Sequence, residues 1–407
     1  MALDAFGRLR VSENFTTFNY YPSPLSATTT LDIDVFISRQ NGGTQTYDVQ
    51  NFINMPISGS GDTYSLRTTK QPMIYQPGKS RLIFMTGVLM ATIPATSTIT
   101  SRMGIFTVDS ATPPVVTAGT YLKCDGVSLY WEDVTQTVTT TVVQSSWNID
   151  TFNGNGPSGK TLTIANAAET LLLVIDQEWL GVGRIRCGFI IDGVIYYGHQ
   201  FLHNGFTVQY TKTPRLNLSY YISGTTANSM RQMCCTNIIE GGYFTTGRIN
   251  NISVPIANFV TTNSTQDMVI LGIRINSAYP DATFFLNNLS FYYTGGASKY
   301  AQYKIQLFST TASGTIGVLS AATPTFTSLS NSAVQYYYGT GGLHVDTPGF
   351  IIGSGYVDVS TTINIALSDV DSLQTRQLFT KYDTLYITGI TNDGGTMGVS
   401  VIFVEDI

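Results

Sequence analysis

The chain has 407 residues, a net charge of −5 and only 12% charged side chains. That length favours two domains over one. The lack of a basic block excludes sequence-independent nucleic-acid binding, and no apolar run reaches the ~20 residues of a membrane-spanning helix. Thr, Ser and Asn abound, and with 24 Tyr, 21 Phe and 38 Gly the chain reads as short strands joined by many turns. A surface so poor in charge is better explained by burial against neighbouring copies or partners than by a free monomer.

Residues 1–24 read as an extended arm. Phe6, Leu9, Val11, Phe15 and Phe18 stud it without a clean period, and Pro22 and Pro24 end regular structure. Such a terminal segment is expected to dock, within the chain or on a neighbour, rather than fray. Phe6, Arg8, Leu9, Arg10, Phe15 and Phe18 are its expected anchoring residues. The opening lacks a basic-then-apolar leader pattern, so folding in a cytoplasm is expected.

Strands are predicted at 31–36, 47–52, 65–69, 81–90, 102–108 and 128–131. The Thr/Val-rich stretch 134–143 is predicted to be extended, because β-branched residues disfavour helix. A Gly/Asn-rich loop covers 147–159. The clearest stretch follows at 169–203. Its three apolar runs are broken by Gly181 and Gly183 and then by Asp192-Gly193, a strong hairpin signal. Ile185, Cys187, Phe189 and Ile191 alternate toward one buried face, giving three consecutive antiparallel strands. Strands at 217–223 and 230–239 close a first domain, 25–243, with a hinge at 240–243.

A second domain, 244–407, holds strands at 249–254, 267–275, 283–294, 303–308, 350–359, 363–366, 384–390 and 397–404. Asn287 and Asn288 mark a bulge. A short helix is predicted near 371–379, and a last hairpin turn at 393–395. The predicted fold class is all-β: two antiparallel β-sandwich (jelly-roll-like) domains behind an extended N-terminal arm.

Candidate chemistry is thin. Cys124, Cys187, Cys234 and Cys235 form no Cys-x-x-Cys pair and read as buried free thiols. His199 and His203 have the spacing of helical metal ligands, but on an extended strand four residues span ~13 Å, and satisfied polar groups are the better reading. Asp176 and Glu178 would share a strand face at about the separation of paired glycosidase carboxylates, yet such pairs are common at strand ends. Gly181 and Gly183 lack the full dinucleotide fingerprint. The string GNGPSGKT at 154–161 satisfies the phosphate-loop pattern, but Pro157 removes a donor and no βαβ context surrounds it. Tyr pairs at 20–21, 196–197 and 220–221 and the triplet 336–338 suit packing and interfaces more than sugar stacking.

A family likeness does emerge. The string DAFGRLRVS at 4–12 resembles the opening shared by structural proteins of tailed phages and some large DNA viruses. YQPGKS at 75–80, WNID at 147–150 with GPSG at 156–159, WLGVGR at 179–184 with the turn at 191–193, IEGGY at 239–243 and the closing 401–407 are similar to further blocks of that group. The resemblance implies a virion component, with the phosphate-loop match as a family loop without a nucleotide role, and it brings no catalytic residues. The expectation is therefore a non-enzymatic virion structural protein of capsid or tail, made in a host cytoplasm. It would need no cofactor or metal. Its partners would be itself, as a homo-oligomer and most simply a trimer, and other virion proteins, with no nucleic acid or membrane. The alternative is a receptor- or glycan-binding adhesin or tail fibre, with loops 147–159 or 309–349 carrying aromatic contacts. A glycan depolymerase using Asp176 or Glu178 comes third.

Overall fold

A computed structural model describes residues 14–22, 31, 35–61, 63–70, 72–241, 247–279, 282–295, 300–308, 317–320, 324–339, 342–358, 362–366, 384–391 and 394–406. The chain divides into two compact units, Met1–Tyr243 and Phe244–Ile407. Among the described residues every strand pairing is antiparallel and the only helical pieces are short 3₁₀ turns. Both units are β-sandwiches, so the chain is all-β.

Among the described residues the first unit has fifteen strands. They are β1 (Asn14–Tyr20), β2 (Phe36–Asn41), β3 (Thr46–Asp48), β4 (Phe52–Ile57), β5 (Thr63–Thr69), β6 (Arg81–Val88), β7 (Ile99–Val108), β8 (Val116–Cys124), β9 (Leu129–Val134), β10 (Thr139–Val143), β11 (Leu171–Gln177), β12 (Ile185–Ile191), β13 (Val194–Phe201), β14 (Leu218–Gly224) and β15 (Asn228–Glu240). One sheet runs β13-β12-β11-β6-β15-β4-β3, with β1 also on β15. The other runs β10-β9-β8-β7-β14-β5-β2. Alternation sets the core. Met85, Leu173, Ile175, Ile185, Cys187 and Phe189 point from the first sheet toward Met103, Ile105, Leu122, Trp131, Tyr220 and Ile222 of the second, all buried in one cluster. Each large apolar side chain so buried contributes roughly 1.5–3 kcal/mol.

The three strands predicted from 169–203 are β11, β12 and β13, paired in sequence. Asp192 (φ 52°) and Gly193 (φ 77°) form the turn between Ile191 and Val194, as the positive-φ demand of a type I′ hairpin requires. Three other expectations need correction. Of the strand expected at 31–36, residues 32–34 lie outside the described residues; Val35 sits in a turn and the described strand runs Phe36–Asn41, with Phe36 buried and Ile37 exposed. The stretch 134–143 is not continuous: Thr135 Oγ1 accepts from Val138 N (3.1 Å), folding the chain into the β9–β10 hairpin, a local side-chain bond that competes with the ladder. Part of the supposed arm, Asn14–Tyr20, is a sheet strand in register with Glu240–Cys235 of β15.

The second unit comprises β16 (Arg248–Ser253), β17 (Val260–Thr261), β18 (Asp267–Ile275), β19 (Thr283–Thr294), β20 (Tyr300–Phe308), β21 (Val318–Leu319), β22 (Thr327–Ser328), β23 (Val334–Tyr338), β24 (His344–Thr347), β25 (Phe350–Asp358), β26 (Thr362–Ala366), β27 (Thr384–Thr391) and β28 (Thr396–Asp406). Its sheets run β16-β28-β19-β26 and β21-β24-β18-β27-β20-β25. The register of β19 slips between Leu286 and Asn288, the bulge expected there. The turn expected at 393–395 is not a hairpin. β27 pairs with β18 and β20 while β28 pairs with β19, so the chain arches from one sheet to the other. The arch lets Leu385 and Ile387 face Val401 and Phe403 across one core. The helix expected near 371–379 lies outside the described residues.

Candidate functional site

The best-built feature of the first unit is the loop after β10. Trp147 stacks on Phe189 (6.1 Å between ring centroids), and Phe152 meets both rings edge-on. Trp131 closes the group from the opposite sheet. Phe152 is fully buried at φ 51°, a left-handed conformation that costs a bulky residue of order 1–3 kcal/mol and is held by this ring packing. Gly198 on β13 lets the rings close in, since a Cβ there would sit 2.8 Å from Phe152 and 2.9 Å from Trp147. Trp147 and Phe152 therefore point into the core and are not the presented aromatics expected of loop 147–159.

Asp150 organises the turn that follows. Its two carboxylate oxygens accept from Phe152 N (2.8 Å) and Ser158 N (2.7 Å). Burial alone would raise this carboxyl, but the Ser158 and Phe152 hydrogen bonds outweigh it and hold it below the usual carboxylate range. Gly156 packs on the same carboxylate, where a Cβ would lie 2.1 Å from Oδ1. Gly154 N donates to Lys160 O and Gly159 N to Gly156 O. Lys160 Nζ reaches Asp192 Oδ2 (2.7 Å) on the hairpin turn. The phosphate-loop pattern thus folds around its own carboxylate. Its Ser158 amide is already spent on Asp150, its Gly154 and Gly159 amides on backbone carbonyls and its lysine on Asp192, so the loop offers no phosphate cradle.

Beside this loop runs a groove of about 590 Å³. Its walls come from 127–129 at the β8–β9 turn, 143–145 after β10, and the segments 151–153 and 161–164. Gln144 Nε2 ties two walls together by donating to Thr151 O (2.9 Å) and Leu162 O (2.7 Å).

Beneath 178–184 lies a buried polar network. His203 Nε2 faces Asp133 Oδ2 (2.9 Å) and Nδ1 faces Gly183 O (2.6 Å). Thr120 donates to the other Asp133 oxygen at 2.6 Å, and Tyr210 stacks flat on the imidazole at 3.9 Å. Tyr210 in turn accepts from Gln177 Nε2 (2.6 Å), and Gln177 Oε1 accepts from the buried Arg81. Asp133 lies on β9 and His203 follows β13, so the pair joins the two sheets. His199 is buried nearby and accepts from Asn148 N (3.2 Å). Its desolvation lowers the imidazole to about 4, against a smaller opposing pull from Asp133.

His199 and His203 thus make separate structural contacts, and no group of three His, Cys, Asp or Glu able to hold a metal is found among the described residues. Asp176 and Glu178 are fully buried. Asp176 is bound by Ser80 (3.0 Å), Arg186 (2.5 Å) and Tyr197 (3.0 Å), an anchored carboxylate out of reach of a substrate. No disulfide forms: all four cysteines are free, and Cys234 alone is exposed. Of the expected anchoring residues, Phe18 is buried in its own sandwich core while Phe15 is 48% exposed. Phe6, Arg8, Leu9 and Arg10 lie outside the described residues. Sequence reasoning missed Asp133. The signal was its parity with Leu129 and Trp131, which puts a carboxylate on the core face, where it needs a partner.

No family model and no curated protein matches the chain. Among solved structures it is similar to a carbohydrate esterase from the Shiga toxin-encoding bacteriophage phi24B (10% identity, TM-score 0.32, 56% of this chain and 100% of that one). It is also similar to an endo-1,3-beta-glucanase from Streptomyces sioyaensis (8%, 0.35, 56% and 97%) and to the lectin-like defence protein arcelin-5 from Phaseolus vulgaris (9%, 0.30, 56% and 98%). At these values the likeness carries no inference about what this chain binds or does.

Proposed function

We propose that the chain is a non-enzymatic structural protein of a virus particle, capsid- or tail-associated, that acts by assembling with copies of itself and docking on other virion proteins. One observation carries this reading. Strand β25 ends its sheet among the described residues; it presents Phe350 (49% exposed) and Ile351 (45%) at one end and Tyr356 (65%) at the other, where Tyr300 of β20 (57%) lies close by in the register. It contains no Lys, Arg or Pro. A nine-residue edge strand whose single charge is Asp358 at its end, with exposed Phe350, Ile351 and Tyr356 before it, is a surface for joining to another chain. The resemblance of the blocks at 4–12 and 179–193 to virion proteins agrees with it. The expected assembly is a trimer. The test is a cryo-microscopy map of intact particles: the reading requires density for this chain at several symmetry-related positions, and its absence from purified particles contradicts the reading.

A second reading, an adhesin that binds a host-surface glycan or receptor, is favoured by the groove beside loop 147–161.

A further inference from the structure

The groove belongs to the first unit, and its chemistry is specific. Its floor is made of C–H groups, with Leu129, Phe152 and Leu162 all buried. Its rim is polar: the hydroxyls of Ser145, Thr151 and Thr161 and the Nδ2 of Asn153 have no hydrogen-bond partner among the described residues. None of the thirteen lining residues is charged. The volume falls within the ~300–1,000 Å³ typical of ligand sites.

We propose that this groove is a binding site for a neutral oligosaccharide. A pyranose has an apolar C–H face and a hydroxyl edge, and the groove offers a C–H floor beneath unspent hydroxyl and amide groups. The uncharged lining gives nothing to neutralise a phosphate, a uronate or a sialate, whose desolvation would go uncompensated. An extended peptide fits less well. It would need ladder partners for its own N–H and C=O groups, yet the backbone of the two flanking segments is already engaged: Asn153 bridges Thr161, Leu162 N donates to Phe152 O (2.8 Å), and Gly154 N donates to Lys160 O (3.0 Å). The walls are also fixed in advance by Gln144 and Asp150, which cuts the ordering cost of binding.

The proposal rests on the adhesin reading and leaves the assembly reading untouched. It is tested by saturation-transfer NMR on the full chain with maltotetraose, cellotetraose, mannotetraose and N-acetylchitotetraose. Sialyllactose, oligogalacturonate and a neutral Thr/Val octapeptide complete the panel. At least one neutral tetrasaccharide is expected to bind. Thr161→Trp, which fills the groove from an exposed position, should weaken it roughly tenfold or more, and Asn153→Ala about threefold to tenfold, the loss of one hydrogen bond. Val49→Trp, on the exposed β3–β4 turn, should leave binding unchanged. Binding that survives both groove variants overturns the site while leaving an adhesin role elsewhere. Binding by the acidic sugars or the peptide alone overturns the neutral-oligosaccharide site and leaves the adhesin reading standing, whereas binding by no member of the panel contradicts both.

Discussion

Asp150 is a single carboxylate on which a ten-residue loop depends. Asp150→Ala removes the acceptor for two amides and is expected to destabilise the first unit by about 1–3 kcal/mol, read as a lower thermal midpoint together with faster amide exchange at 151–160. Unchanged exchange there would show that the ring cluster alone holds the loop. His199 gives a pH signature of opposite origin. Its ordinary value is about 6.5 and burial lowers it to about 4 in the folded chain, so between those values the unfolded chain binds more protons. Stability therefore falls as pH drops from about 6.5 toward 4, because charging the ring also ends its acceptance from Asn148 N. In urea titrations across that window His199→Gln should flatten the slope, and an unaltered slope would assign it to other groups. Asp150, whose carboxyl is depressed, contributes stability that is lost only below the usual carboxylate range.

At the scale of elements, Gly198 tests the packing of β13 on the loop. Gly198→Ala forces a methyl against Phe152 and Trp147 and should cost about 1–3 kcal/mol in denaturant midpoint, whereas a neutral result would mean the rings are free to shift. The β12–β13 hairpin was legible in the sequence because Asp192-Gly193 encodes a local backbone conformation between two alternating runs. The change of sheet between β27 and β28 was not, because a Gly-Gly pair marks a turn without saying which sheet the next strand joins. That choice is made by the facing core of Leu385, Ile387, Val401 and Phe403. The His203–Asp133 bridge was equally hidden, its partners lying 70 residues apart. The phosphate-loop string shows the reverse case, a legible motif emptied by a neighbour, Asp150, that the pattern does not include. The groove could not be read either, since its walls come from four separate stretches of chain.

At the scale of the whole molecule, composition already pointed the right way on architecture: few charges, many aromatics and many glycines become two β-sandwich units. What composition left open is how a surface so poor in charge is used. The account assigns that surface to assembly, with β25 as a joining edge. Sedimentation velocity of the full chain is the most direct test, run beside Tyr356→Lys, which places a protecting charge on that edge at an already exposed position. The account predicts a homo-oligomer, three chains in its simplest form, that dissociates at least in part in the variant while the far-ultraviolet circular dichroism stays unchanged. A wild-type chain that sediments as a monomer at every concentration tested would contradict it.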